Sequence, residues 1–234
     1  MLTNSEIKRI KSLKDKKFRD EFGQFVVEGE KLVSEALSSG LNVIAVYRSD
    51  EIGTENMARM SQLSTPSPVL AVVEKPLPVS LAPDRGLYLG LDSVRDPGNM
   101  GTILRLADWF GITAVFASQD CVEIFNPKVV QSSMGSVFRV PVVSCDLEDI
   151  CRKFREMDMP VYGTFLDGED IYSETLGDEG LVVMGNEANG VSREVASLVS
   201  TRLFIPSFAG GRKTAESLNV ATATAIVLSE FRRR

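Results

Sequence analysis

Apolar positions along this chain alternate between two rhythms. Short continuous apolar runs read as strands, and runs with apolar residues three and four apart read as helices. In the first third, strands are predicted at 25–28, 42–47 and 69–73, with helices at 4–17, 29–38 and 57–63. Residues 75–84 then carry Pro76, Pro78 and Pro83, and proline fixes φ and lacks a donor, so this stretch reads as an extended linker. Beyond it, strands are predicted near 87–91, 112–117, 139–143, 160–164, 181–184 and 202–205. Helices are predicted near 99–110, 127–133, 147–157, 191–199 and 217–231, with Asn126-Pro127 as a helix start. Strand–helix alternation predicts an α/β fold with a mostly parallel sheet covered on both faces. The division expected is 1–75, a small α/β domain; 76–84, the linker; and 85–234, a larger domain.

Several function classes drop out on composition. The 234 residues are 44% apolar, an ordinary value for a globular protein, and no apolar run reaches the ~18 residues of a membrane span. The first residues, Met1-Leu-Thr-Asn-Ser-Glu6, lack an apolar signal core, so a cytoplasmic protein is expected. Cys121, Cys145 and Cys151 form no CxxC pair and read as reduced structural thiols. There is no histidine, which removes Ser-His-Asp and Cys-His catalysis and every histidine-bearing metal site; no metal is expected.

Net charge is −6, yet residues 1–20 hold seven basic residues against three acidic ones, and the chain ends in Arg232-Arg-Arg234. Lys8, Arg9, Lys11, Lys14, Lys16 and Lys17 are therefore candidates for phosphate contacts, against the plainer reading of a solvated helix face.

Chemistry concentrates where predicted strands end. The strand at 87–91 runs into a polar turn and a helix bearing Asn99, Gly101 and Arg105, the position at which open α/β sheets place ligands. Two later segments have the same character: 183–190, with Met184, Gly185, Asn186, Glu187 and Gly190, and 205–219, with Ile205, Pro206, Ser217, Leu218 and Asn219. Between them, Phe208-Ala-Gly-Gly-Arg-Lys-Thr-Ala215 suggests a phosphate loop but fails the Walker spacing at Ser207 and Arg212. Three punctuations of this kind suggest one assembled site.

At these residues the chain resembles the SpoU (TrmH-type) RNA ribose 2'-O-methyltransferases of the SPOUT superfamily. The pattern Asn-x-Gly-x-x-x-Arg falls on Asn99, Gly101 and Arg105. Gly-Asn-Glu-x-x-Gly falls on Gly185, Asn186, Glu187 and Gly190, and Ile-Pro followed by Glu-Ser-Leu-Asn-Val falls on Ile205, Pro206 and Glu216 to Val220. Gly135-Ser-Val-Phe-Arg-Val-Pro141 matches between the first two. The resemblance implies a C-terminal parallel-sheet domain with a deep trefoil knot, S-adenosylmethionine as cofactor and a homodimer whose site is completed across the interface. The segment before the linker resembles an L30e-like RNA-binding domain, which tilts the substrate toward 23S (large-subunit) rRNA. A tRNA substrate, a non-catalytic RNA-binding protein of the same fold and base methylation are the alternatives.

Roles follow residue by residue. The resemblance gives Arg105 a catalytic part, but a guanidinium offers only hydrogen-bond donors, so it suits a phosphate beside the target ribose better than it suits a general base. Asn99 either hydrogen-bonds RNA, fixes its loop or caps its helix. Glu187, Ser217 and Asn219 complete the catalytic set the resemblance implies, with capping as the plainer reading of the last two. Met184, Gly185, Asn186, Gly190, Ile205, Pro206 and Leu218 would hold the cofactor. Arg212 and Lys213 would add RNA contacts or close over the cleft.

Overall fold

The computed structural model describes residues 2–212 and 215–233. They form two compact units: 1–78 with 123–139, and 79–122 with 140–234. The break at Pro78 lies in the proline-rich linker, while 123–139 is an excursion into the first unit that the linear division above does not contain.

The first unit begins with α1 (Asn4–Ser12) and α2 (Lys16–Phe22), followed by β1 (Gln24–Glu28) and α3 (Glu30–Ser38). Next come β2 (Val43–Arg48), the single turn α4 (Ser49–Ile52), α5 (Thr54–Met60) and β3 (Val69–Glu74). The strands pair antiparallel in the order β1-β3-β2. Ile7 and Ile10 of α1 and Leu13 just after it meet Val26, Met57, Met60, Leu70 and Val72 in one core. The helix predicted over 4–17 is broken at 13–15, and Arg19 is the reason. Its side chain, 2% exposed, donates to the carbonyls of Leu13 (2.9 Å) and Lys14 (2.6 Å), which the break leaves without helical partners. The other side of the guanidinium holds Glu123, which also pairs with Lys75 at 3.2 Å, and Phe125 packs on Phe25 at 4.6 Å. These contacts, with α7 (Pro127–Ser133), fasten the excursion.

The second unit holds β4 (Leu87–Leu91), α6 (Pro97–Trp109), β5 (Val115–Ser118), β6 (Val142–Cys145) and α8 (Leu147–Glu156). It continues with β7 (Val161–Asp170), β8 (Gly180–Met184), α9 (Arg193–Ala196), β9 (Thr201–Phe204) and α10 (Val220–Arg232). Its six strands are all parallel, in the order β6-β5-β4-β8-β7-β9. Every residue of β4 and β8 is buried, as expected for central strands covered on both faces. On one face Tyr88, Phe116, Leu181 and Val183 pack with Ile150, Cys151 and Phe154 of α8.

Several element bounds differ from the sequence pattern. The strand expected at 139–143 starts at Val142, because 136–138 turn as a 3₁₀-helix and Pro141 has no N–H to give the ladder. The helix expected at 191–199 is one turn. β7 runs beyond 164, with its register on β9 jumping between Thr164 and Glu169. The jump is closed by Gly168, where a Cβ would lie 2.7 Å from the carbonyl oxygen of Arg202.

Candidate active site

Three loops, after β4, β8 and β9, leave the carboxyl side of the parallel sheet; β4 and β8 are neighbours, and β9 lies beyond β7. After β4, Asp96 caps α6 by accepting from the N–H of Asn99 at 2.8 Å, with Pro97 in the first turn. Such a cap contributes about 1 kcal/mol, and it corrects the capping reading of Asn99. The Asn99 side chain is released for a different task.

Asn219 caps α10, its Oδ1 accepting from the N–H groups of Ala221 (3.0 Å) and Thr222 (3.2 Å). Those two bonds fix which end of the amide is oxygen. Its Nδ2 donates to Asn99 Oδ1 at 2.9 Å, and Asn99 Nδ2 donates to Glu187 Oε1 at 2.7 Å. The polarity of this chain is thereby set from one end, and it terminates on a carboxylate. One residue from each of the three sequence motifs takes part.

The 185–190 loop closes on itself. Asn186 and Gly190 exchange backbone hydrogen bonds of 2.9 Å each. Asn186 Oδ1 accepts from Ala188 (2.9 Å) and Asn189 (3.1 Å), while its Nδ2 donates to the Ser93 carbonyl at 2.7 Å. At Gly185 a Cβ would sit 2.2 Å from Gly190 C and 2.3 Å from Val191 N. Only glycine fits beneath this loop.

The loop borders a cleft of about 790 Å³, within the usual range for a small-molecule site. Met184, Gly185, Asn186, Gly190, Ile205, Pro206 and Leu218 all line it, as do Glu187 and Ser217. The pattern of motifs missed Thr164, Phe165 and Leu166 from the extended β7, and Phe208, which is 83% exposed at the cleft. The end of β7 carries no motif; its place beside β8 and β9 was the available signal. The apolar walls, backbone-lined floor and two carboxylates, Glu187 pinned by Asn99 and Glu216 exposed, fit a nucleoside-bearing cation such as S-adenosylmethionine.

Arg105 does not line the cleft; it is exposed on α6 and has no hydrogen bond or ion pair among the described residues. Trp109, one turn on, is 85% exposed. Arg212 folds back on its own loop through the Ala209 carbonyl, at 3.0 Å from Nε, and Lys213 lies outside the described residues.

The N-terminal bases separate into two groups. Arg9 bonds Gln24, Lys16 pairs with Asp20 at 2.6 Å and Lys17 lies over the Phe18 ring. Lys8, Lys11 and Lys14 instead line a cleft of about 500 Å³ in the first unit together with Arg59, a residue the charge count along 1–20 could not reach. Lys11 also donates to the Ser61 carbonyl, whereas the ammonium groups of Lys8 and Lys14 have no hydrogen bond or ion pair among the described residues.

Other chemistries find no support here. Burial pushes the Cys151 thiol up to about 12 and the Cys145 thiol to about 11, so neither is a nucleophile at neutral pH. Among the described residues no group of three His, Cys, Asp or Glu could hold a metal ion, and no helix is long and apolar enough to cross a membrane.

Comparison with known proteins gives two family matches: the SpoU rRNA Methylase family over 86–229, and an MRM3-like substrate binding domain over 4–78. A 23S rRNA (guanosine(2553)-2'-O)-methyltransferase of Bacillus subtilis (strain 168) is 33% identical, over 98% of this chain and 96% of its own. A TrmH-family protein from Porphyromonas gingivalis has a similar structure, with TM-score 0.89 and 38% identity, covering 100% of this chain and 99% of that one. So has an rRNA methyltransferase from Sinorhizobium meliloti solved with S-adenosylmethionine bound, with TM-score 0.85 and 32% identity over 100% and 96% of the two chains.

Proposed function

The chain belongs to the SpoU rRNA methylase family, and on that premise we propose that it methylates a ribose 2'-hydroxyl of large-subunit rRNA with S-adenosylmethionine. The observation that carries this reading is the side-chain linkage of Asn219, Asn99 and Glu187, residues 120 and 88 positions apart, at the edge of one cleft. When bound, the cofactor supplies a methyl group on a sulfonium, already an activated donor.

The protein's share is binding and orientation. Met184, Ile205, Pro206 and Leu218 give apolar walls, and the 185–190 loop offers backbone groups to the adenosine moiety. Glu187 Oε1 is engaged by Asn99, while Oε2 has only a long 3.4 Å contact from Asn186, so it is free to accept from a ribose hydroxyl. Arg105 holds the phosphate beside the target ribose and sets the 2'-oxygen on line. Ser217 serves the same ribose from the loop just before α10.

The first unit receives the RNA. Lys8, Lys11, Lys14 and Arg59 are placed as backbone-phosphate contacts. Replacing Lys8, Lys14 and Arg59 with alanine is expected to weaken RNA binding and to flatten its salt dependence by about 0.7–0.9 per charge removed. Binding isotherms across a salt series check this; an unchanged slope would place the RNA elsewhere.

We place the activity in a homodimer in the cytoplasm, a compartment that suits three unpaired thiols. Trp109 is the anchor: a fully presented aromatic on the same helix face as Arg105 is the kind of residue that dominates an interface. Trp109→Glu should leave the fold intact and raise the dimer dissociation constant at least ~30-fold, an effect worth ~2 kcal/mol or more. Sedimentation at graded concentration reads it.

Deleting the gene should remove one 2'-O-methyl nucleotide from large-subunit rRNA, restored by the wild-type chain and not by Arg105→Ala. A map of 2'-O-methyl positions unchanged by the deletion would refute the reading.

A further inference from the structure

The 92–96 loop is held in an unusual way. Ser93 has φ +60, the left-handed region that costs any residue with a Cβ. Its carbonyl is the acceptor for Asn186 Nδ2, the bond that seats the 185–190 loop on the rest of the sheet edge. A relaxed φ at Ser93 would turn that carbonyl away.

Asp120, just after β5, supplies the restraint. Its Oδ2 accepts from Ser93 Oγ at 2.6 Å and from Arg95 at 2.8 Å, and its Oδ1 accepts from Ser118 Oγ at 2.7 Å. Ser118 Oγ in turn accepts from the Ser93 N–H at 2.9 Å. These donors hold the Asp120 carboxyl well below the usual carboxylate range, so it stays ionised at working pH. The loop that carries Asp120 is itself tied to the 91–95 segment: Cys121 Sγ lies 3.4 Å from the Leu91 carbonyl and accepts from the Val94 N–H at 3.3 Å, and Val122 N–H donates to the Val94 carbonyl at 3.0 Å. Beside it, buried Asp92 accepts from the Ser192 N–H at 2.7 Å and clamps the far end of the same cleft loop.

We propose that Asp120 is a positioning residue for the cofactor cleft: it holds Ser93 in its left-handed conformation so that the Ser93 carbonyl fixes Asn186 and the loop around the cofactor. The inference rests on the cleft being the S-adenosylmethionine site. Asp120 lies outside all three motifs and does not line the cleft; its bonds to Ser93 Oγ and to Ser118, which takes the Ser93 N–H, converge on Ser93.

The mechanism makes an unusual rescue possible. Asp120→Ala removes the short bond on Ser93 Oγ and the acceptor that orients Ser118, leaving the strained serine only its N–H bond to Ser118 and a longer 3.3 Å bond to Asp92, so affinity for S-adenosylmethionine should fall about ten-fold. Adding Ser93→Gly removes the strain itself, because glycine adopts φ +60 freely. The double variant should return to within about three-fold of wild type. Asp120→Asn, which keeps an acceptor but loses charge, should fall between.

Calorimetric titration of the four proteins with S-adenosylmethionine tests this, with thermal melts run alongside to confirm folding. Recovery in the double variant supports the proposal, with the melts showing that Asp120→Ala and the double variant are both folded at the titration temperature, so that affinity reports the set of the loop and not the fraction folded. Wild-type affinity in Asp120→Ala overturns it, and so does a loss that Ser93→Gly leaves untouched. Failure of the wild-type chain to bind would instead strike the cofactor assignment, which separates the two readings.

Discussion

Arg105→Ala is expected to lower single-turnover methyl transfer by about 10²- to 10³-fold, while affinity for S-adenosylmethionine stays within about two-fold. Three observations lead there. Arg105 has no partner among the described residues, so its charge is uncommitted and its removal disturbs no internal network. It does not line the cofactor cleft, so the cofactor should not register its loss. A guanidinium stays protonated, which excludes simple proton abstraction and leaves bidentate grip on a phosphate as the chemistry it does well. Misplacing a 2'-oxygen by about an ångström is enough to cost a factor of about a hundred. Arg105→Lys keeps the charge without the planar fork and should recover only part of the rate. Rapid-quench transfer at saturating cofactor and RNA, paired with cofactor titration, separates the outcomes. Lost cofactor affinity with full turnover at saturation would mean that Arg105 belongs to the cofactor site.

Gly185→Ala should abolish measurable cofactor binding, a rise of at least about 100-fold in Kd. The new methyl would lie 2.2 Å from Gly190 C, 2.3 Å from Val191 N and 2.5 Å from Gly190 O. Ordinary carbon contacts lie near 3.5–4.0 Å. All three obstructing atoms are backbone, so no side-chain rotation relieves them, and the loop must move off its seat. Gly190→Ala is the matched comparison. There φ is +68 but nothing stands within 4 Å, so only the left-handed penalty of about 1–2 kcal/mol applies. Gly190→Ala should therefore bind about ten-fold more weakly. Equal effects of the two substitutions would show that crowding at Gly185 is not what shapes the cleft.

Much of the site was legible before the fold. Gly185, Asn186, Gly190, Ile205, Pro206 and Leu218 sit in short motifs at strand ends, and all line the cleft. Motifs name residues but not their partners. Asn99 can be read from the sequence as an RNA contact, a loop tie or a cap, because a helix opens beside it; Asp96 takes the cap and Asn99 joins Asn219 to Glu187. That linkage is tertiary and leaves no local trace. In the sequence Arg19 is only one of the seven bases in the charge count over 1–20, whereas it is buried on Glu123, 104 residues away in sequence. The 123–139 excursion was invisible for the same reason, since its helix reads like any other in an α/β chain. The extension of β7 past Thr164 was missed because its apolar alternation lapses at Asp167 and Gly168, where the backbone of β9 comes too close for a side chain.

The most direct test is to incubate the protein with methyl-labelled S-adenosylmethionine and RNA from cells lacking it, then digest the RNA to nucleosides. Label recovered as a single 2'-O-methyl nucleoside, from large-subunit rRNA, is the expected result. Label on a base, in tRNA alone, or on no RNA although the cofactor binds would contradict the assignment.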